Sequence, residues 1–132
     1  RGRGAWRNGK RIHVPKKMTA RIPFCLLGVG RSPTETRRFK AFIRRAPLGE
    51  LRVRMLGSLA LEFAAVASGQ ADAAIGMNVN LWDVLPGILL VREAGGVVSN
   101  FHGSDWTPKD DTFIACHPGV HTRLLSITKT IR

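Results

Sequence analysis

The carboxylate best placed to do chemistry in this chain is Asp83, in the run Trp82-Asp83-Val84-Leu85-Pro86-Gly87, where the pattern predicts the start of a helix. An Asp there has two uses. Its oxygens can cap the unpaired N–H groups of the first turn, at the positive end of the helix dipole. They can also hold a hard divalent cation, which draws its ligands from carboxylates, waters and substrate phosphate. Glu93, ten residues on, lies about 280° around such a helix and points elsewhere. Asp105, Asp110 and Asp111 fall in a later loop without Asp-x-x-Asp spacing. The chain thus offers one well-placed carboxylate.

Other constellations have plainer readings. Gly28-Val29-Gly30-Arg31 follows an apolar run and could cradle a phosphate, but a simple turn from strand to helix explains the same residues. Cys116, His117 and His121 are metal-ligating types gathered at one helix start, and without a fourth partner they make a poor zinc site. His13 and His102 have no partner by spacing and read as surface residues. Cys25 and Cys116 sit in apolar stretches, as buried reduced thiols do, whereas small secreted disulfide domains carry far more Cys.

The elements that must position these groups alternate along the chain. Asn8-Gly9, flanked by Gly4-Ala5-Trp6 and Ile12-His13-Val14, predicts a hairpin. Ile22 to Val29 reads as a buried strand. Ser32-Pro33-Thr34-Glu35 opens a helix through about Arg45, with Ser32 as N-cap, Pro33 at the first helical position and Glu35 three residues after the cap. Pro47-Leu48-Gly49 ends it. Phe39 and Phe42 form its apolar stripe, and Arg37, Arg38, Lys40, Arg44 and Arg45 occupy its other faces. Leu51 to Met55 alternates apolar residues with Arg, as a half-exposed strand does. Gly57-Ser58 opens a helix of small and apolar residues, Leu59 to Ser68, closed by Gly69 and tightly packed by its many Ala. Ala73 to Met77 is a further strand. The next helix begins at Trp82 or Asp83, tolerates Pro86 in its first turn and stops at Gly95-Gly96. Val97-Val98, Phe113 to Cys116 and a helix from about Gly119 to Thr130 complete the set. Strands alternate with helices, so the class is α/β, with no repeat or linker dividing residues 1–132.

Of the 132 residues 44% are apolar, enough for a packed core. No run approaches the roughly 20 apolar residues of a spanning helix, and no secretory signal opens the chain, so a cytoplasmic protein is expected. It begins at Arg1 rather than Met, as a processed chain or a piece of a longer one does. The 21 Lys and Arg against 9 Asp and Glu leave a net +12. All the excess lies up to Arg54, with 16 basic and two acidic residues, against five and seven afterwards. This excludes an acidic solvating tail and favours a phosphate-bearing partner. Nucleic acid is not the expected one, because aromatics for stacking are not interleaved with the charge.

Three blocks carry a resemblance: Met55-Leu56-Gly57-Ser58-Leu59-Ala60-Leu61, then Val66-Ala67-Ser68-Gly69-Gln70-Ala71-Asp72-Ala73, then Trp82-Asp83 through Glu93-Ala94-Gly95-Gly96. In order and spacing they resemble the C-terminal half of the inositol monophosphatase family, and Gly2 to Gly9 resembles the turn after that family's metal-binding region. The likeness runs from about Gly2 to Leu125. It implies a Mg²⁺-dependent phosphomonoesterase on a layered α/β/α/β/α sandwich, with residues 1–132 as one partial domain. It also implies that Asp83 ligates a catalytic Mg²⁺ and that Gly57, Ser58 and Leu59 line a pocket for a small phosphate ester. N–H groups at Ser58 would then face the anion. Such metals polarise phosphoryl oxygens, activate water and stabilise the leaving alkoxide.

Two departures qualify what is implied. The family's other metal ligands come from an earlier Glu and an Asp-Pro-x-Asp-Gly-Thr-type motif, and neither occurs here. Inositol-preferring members carry a Glu seven residues before the Trp-Asp aspartate, where this chain has Gly76. The expectation is therefore a phosphatase portion that is inactive without the missing N-terminal half, acts on an unspecified phosphate ester, and has a homodimer as one allowed assembly. The alternative is a non-catalytic basic module contacting nucleic acid or a protein. On the first reading the +12 is a basic flank beside a phosphate pocket.

Overall fold

Asn8 and Gly9 both take positive φ, 50° and 74°, the pair that a two-residue hairpin turn needs to match strand twist. They join β1 (Ala5–Arg7) to β2 (Lys10–Ile12), paired antiparallel. The computed structural model describes residues 2–18, 20–30, 32–46, 49–77 and 80–131. Arg31 of the predicted glycine turn, and Pro47 and Leu48 of the predicted helix stop, lie outside the described residues.

β3 (Phe24–Val29) leads into α1 (Pro33–Arg45) through the expected capping box: the Ser32 hydroxyl accepts from the Glu35 N–H and the Glu35 carboxylate accepts from the Ser32 N–H. β4 (Arg52–Arg54), α2 (Leu59–Ala67), β5 (Ala73–Met77) and α3 (Leu81–Glu93) follow, then β6 (Val97–Ser99), β7 (Thr112–Cys116) and α4 (Pro118–Thr128). The large sheet runs β4-β3-β5-β7-β6. β3 pairs parallel with β4 and β5, while β7 runs antiparallel to both β5 and β6.

Period-two alternation divides the core between the two faces of this sheet. Leu26, Ala74, Phe113 and Ala115 pack with Phe63 and Val66 of α2 and Val84, Ile88 and Val91 of α3. Cys25, Leu27, Ile75, Ile114 and Cys116 pack with Phe42 of α1 and Leu124 and Ile127 of α4. At about 100° per residue, Pro86, Leu90 and Glu93 lie on the side of α3 opposite Val84, Ile88 and Val91. The hairpin packs on that opposite side: the Gly2 and Gly4 N–H groups donate to Glu93 at 2.5 and 2.8 Å. Four tiers result: α1 with α4, the sheet, α2 with α3, and the hairpin.

α3 begins earlier than its pattern predicts. Asn80 is its N-cap, so Asp83 is the third helical residue rather than the cap, and Pro86 falls in the second turn. α2 and α3 approach closely because Gly87 has no side chain: a Cβ there would lie 2.1 Å from the Phe63 ring.

Candidate functional site

β3 and β5 are adjacent parallel strands, but the chain leaves β3 for α1 on one face and β5 for α3 on the other. Ligand sites of open α/β sheets form at such switch points, beyond the carboxyl ends of the strands. A cleft of about 600 Å³ lies there, walled by Gly28 and Gly30 of the β3 end, Ser58 and Leu59 at the start of α2, and Asn80 and Asp83 at the start of α3. Gly57 belongs to the same wall, with φ at +72°. The four residues singled out from the sequence are therefore brought together.

Asp83 is exposed, and no described residue bonds its carboxylate. The N-caps of both facing helices, Ser58 and Asn80, make no side-chain cap bond. The N–H groups opening α2 and α3 are thus without a side-chain acceptor, and they carry the positive ends of two helix dipoles toward the cleft. A carboxylate beside two such ends suits a cation that bridges it to an anionic ligand.

Two further carboxyls line the cleft without a motif that marks them for it in the sequence, Glu35 and Glu62. Glu35 is spent on the capping box. Glu62 is fully buried; its Oε1 accepts from the Leu56 N–H at 3.3 Å and its Oε2 has no partner. Burial pushes the Glu62 carboxyl above its ordinary range, with the Leu56 N–H opposing. The glycines of β3 make room for both acids. A Cβ at Gly30 would strike the Glu35 carboxyl, and one at Gly28 would lie 2.2 Å from Leu59 Cδ2 and 3.2 Å from Glu62 Oε2. Glu62 is the one charged residue in the Leu59–Ser68 run, and that was the sequence signal pointing to it.

The remaining candidates are occupied elsewhere. Glu93 holds the hairpin, Asp105 pairs with Arg92 at 2.6 Å, Asp111 pairs with Arg38 at 2.6 Å, and Asp110 accepts from Asn100 and Thr107. His117 caps α4, its Nδ1 accepting from the Gly119 N–H at 2.9 Å, and His121 Nε2 lies 2.8 Å from Ser99 Oγ. Burial pushes the Cys25 and Cys116 thiols up to about 12. His13 and His102 are exposed. Among the described residues no three His, Cys, Asp or Glu side chains gather as a metal site. Asp83 is an exposed carboxylate that no described residue bonds, a donor of the type that a hard cation such as Mg²⁺ could use beside water and phosphate. At Gly76 a Cβ would lie 2.0 Å from Phe113 Cε1, so that ring fills the space of any side chain there.

Comparison with known proteins agrees with this architecture. The profile of the inositol monophosphatase family matches residues 1–132. The chain is 32% identical over 130 residues to the fructose-1,6-bisphosphatase/inositol-1-monophosphatase of Thermotoga maritima, covering 98% of this chain and 49% of that protein. It is 39% identical over 114 residues to the Nus factor SuhB of Xylella fastidiosa, covering 84% of this chain and 41% of that one. The crystal structure of the extragenic suppressor protein suhB from Bartonella henselae superposes with a TM-score of 0.85 at 29% identity, over 98% of this chain and 50% of that one. The chain spans about half the length of the curated relatives it matches. By profile, sequence and fold, it belongs to the inositol monophosphatase family.

Proposed function

We propose that this chain is the C-terminal portion, one partial domain, of a Mg²⁺-dependent phosphomonoesterase that hydrolyses a small phosphate ester in the cytoplasm. The observation that carries the reading is the exposed Asp83 carboxylate, without a bonding partner among the described residues, lining the switch-point cleft together with the uncapped start of α2. Asp83 would supply one oxygen to the cation. The bound cation would polarise the phosphoryl group and lower the pKa of a water. Gly57, Ser58 and Leu59 form the wall against which the ester's phosphate rests, its oxygens accepting from N–H groups of α2. The Phe113 ring over Gly76 leaves the substrate's alcohol portion to be recognised by other residues.

A second observation favours dependence on a further half. Leu61 of α2 and Trp82, Leu85 and Leu89 of α3 are 60%, 74%, 44% and 42% exposed, on the side where the hairpin begins another β tier. Apolar patches of this kind mark interaction surfaces, and the relatives have about as much chain again to cover one. The isolated chain is accordingly expected to release no phosphate from inositol 1-phosphate or fructose 1,6-bisphosphate with Mg²⁺. Turnover abolished by Asp83→Asn would overturn that dependence by showing that the chain builds its own site. The relatives named Nus factor suggest a role besides hydrolysis, and the basic surface of α1 is the observation that favours one.

A further inference from the structure

We propose that the outer face of α1 binds the phosphate backbone of single-stranded nucleic acid, at a site separate from the Asp83 cleft. Phe42 is buried against the sheet and Phe39 packs on the same cluster, while Arg38 turns to Asp111. Ala41 and Ile43 are half-buried beside them, and the exposed cations of the helix are Arg37, Lys40, Arg44 and Arg45. Arg37, Lys40, Arg44 and Arg45, with Thr36 and Ala41 between them, line a shallow groove of about 510 Å³. Among the described residues none of these four cations has an ion-pair partner, and the one acid of the helix, Glu35, is buried in its capping box. At 1.5 Å and about 100° per residue, Arg37, Lys40 and Arg44 fall within about 60° of one another over about 10 Å of the helix, with Arg45 about 80° round from Arg37 at its end.

The chemistry of this face selects its partner. Three of the four cations are Arg, whose planar fork matches phosphate oxygens two at a time. The groove has no aromatic or large apolar side chain, so it lacks the anchors from which protein interfaces draw most of their energy, and it cannot stack bases. Contact with the backbone alone, indifferent to sequence, is what remains. α1 lies flat on the sheet with α4 beside it and cannot enter a duplex groove as a projecting recognition helix does, whereas a flexible single strand can follow its line of charges. Aromatics for stacking are absent from this face, and the contact proposed here needs only its cations.

Fluorescence anisotropy of a labelled 12-nucleotide oligothymidylate, titrated with the full chain at 50 and 200 mM salt, tests this. Four phosphate contacts give a slope of log K on log salt of about −2.8, a loss of affinity of about fifty-fold between the two conditions. The exposed triple variant R37Q/K40Q/R44Q is expected to reduce the slope to about −0.7 and the loss to about threefold. Removing three exposed cations elsewhere, as R7Q/K10Q/K16Q, is expected to leave the slope in place. No binding at 50 mM salt, an equal effect of the two triple variants, or competition by polyglutamate as effective as by unlabelled oligothymidylate would each overturn the proposal, the last by assigning the face to an acidic protein.

Discussion

The spacing of α2 and α3 sets the distance between Ser58 and Asp83, and one glycine controls it. A Cβ on Gly87 would stand 2.1, 2.3 and 2.6 Å from Cδ2, Cγ and Cε2 of Phe63, about 1.4 Å short of ordinary contact. Phe63 has nowhere to retreat. It is fully buried and stacked on Phe113, with centroids 4.8 Å apart, and Phe113 is itself pressed over Gly76. Helix propensity alone favours Gly87→Ala by about 1 kcal/mol, while inserting a carbon into a closed core costs about 1–3 kcal/mol or more. With the ring blocked on both sides the upper part of that range applies, and the net loss is about 1–2 kcal/mol, or roughly 4–8 °C in Tm for a chain of this length. Thermal unfolding followed by circular dichroism measures it. In a Phe63→Ala background, where Cγ, Cδ2 and Cε2 are all gone, the same Gly87→Ala change is expected to be neutral or stabilising. A rise in Tm on Gly87→Ala in the wild-type background would refute the reasoning, since propensity would then outweigh a clash that the packing makes unavoidable.

Glu62 gives a pH signature. Its folded-state carboxyl is raised by burial, so the folded chain holds this proton after the unfolded chain has released it, and stability falls as pH climbs from about 4.5 toward the raised value. Glu62→Gln keeps an acceptor for the Leu56 N–H and is expected to raise the urea midpoint at pH 7 while leaving it unchanged at pH 4. The thiols of Cys25 and Cys116, pushed up to about 12 in a closed core, are expected not to react with a disulfide reagent at pH 8 until denaturant is added, when two thiols per chain should titrate.

Much of this architecture was legible because it is written in local chemistry. Asn8-Gly9 has one favoured turn, Ser32 to Glu35 one favoured cap, and Gly69 and Gly95 end their helices with φ at 72° and 86°. What escaped depends on contacts between distant segments. The antiparallel turn of β7 against β5 has no local marker, since its apolar run would suit either direction. At the start of α3 two cap types compete, Asn80 and Asp83, and the structure uses Asn80; the helix is apolar on every side, so the exposed Trp82 and Leu85 resemble core residues in the sequence. In the sequence Glu62 is a single charge on a helix of small and apolar residues, and its enclosure at the cleft depends on Gly28 of the distant strand β3.

The central claim is that Asp83 holds the cation of a phosphatase whose other half lies outside this chain. A chimera carrying these 132 residues in place of the matching 49% of the Thermotoga maritima relative puts it to direct test. Phosphate release from inositol 1-phosphate and fructose 1,6-bisphosphate is to be measured across a Mg²⁺ titration. The account predicts Mg²⁺-dependent turnover that falls about a hundredfold or more on Asp83→Asn, since even outer-shell partners of a metal are worth about 10- to 100-fold, with no such fall on Asp105→Asn. Full turnover in the Asp83→Asn chimera, with its Mg²⁺ dependence unchanged, would contradict it.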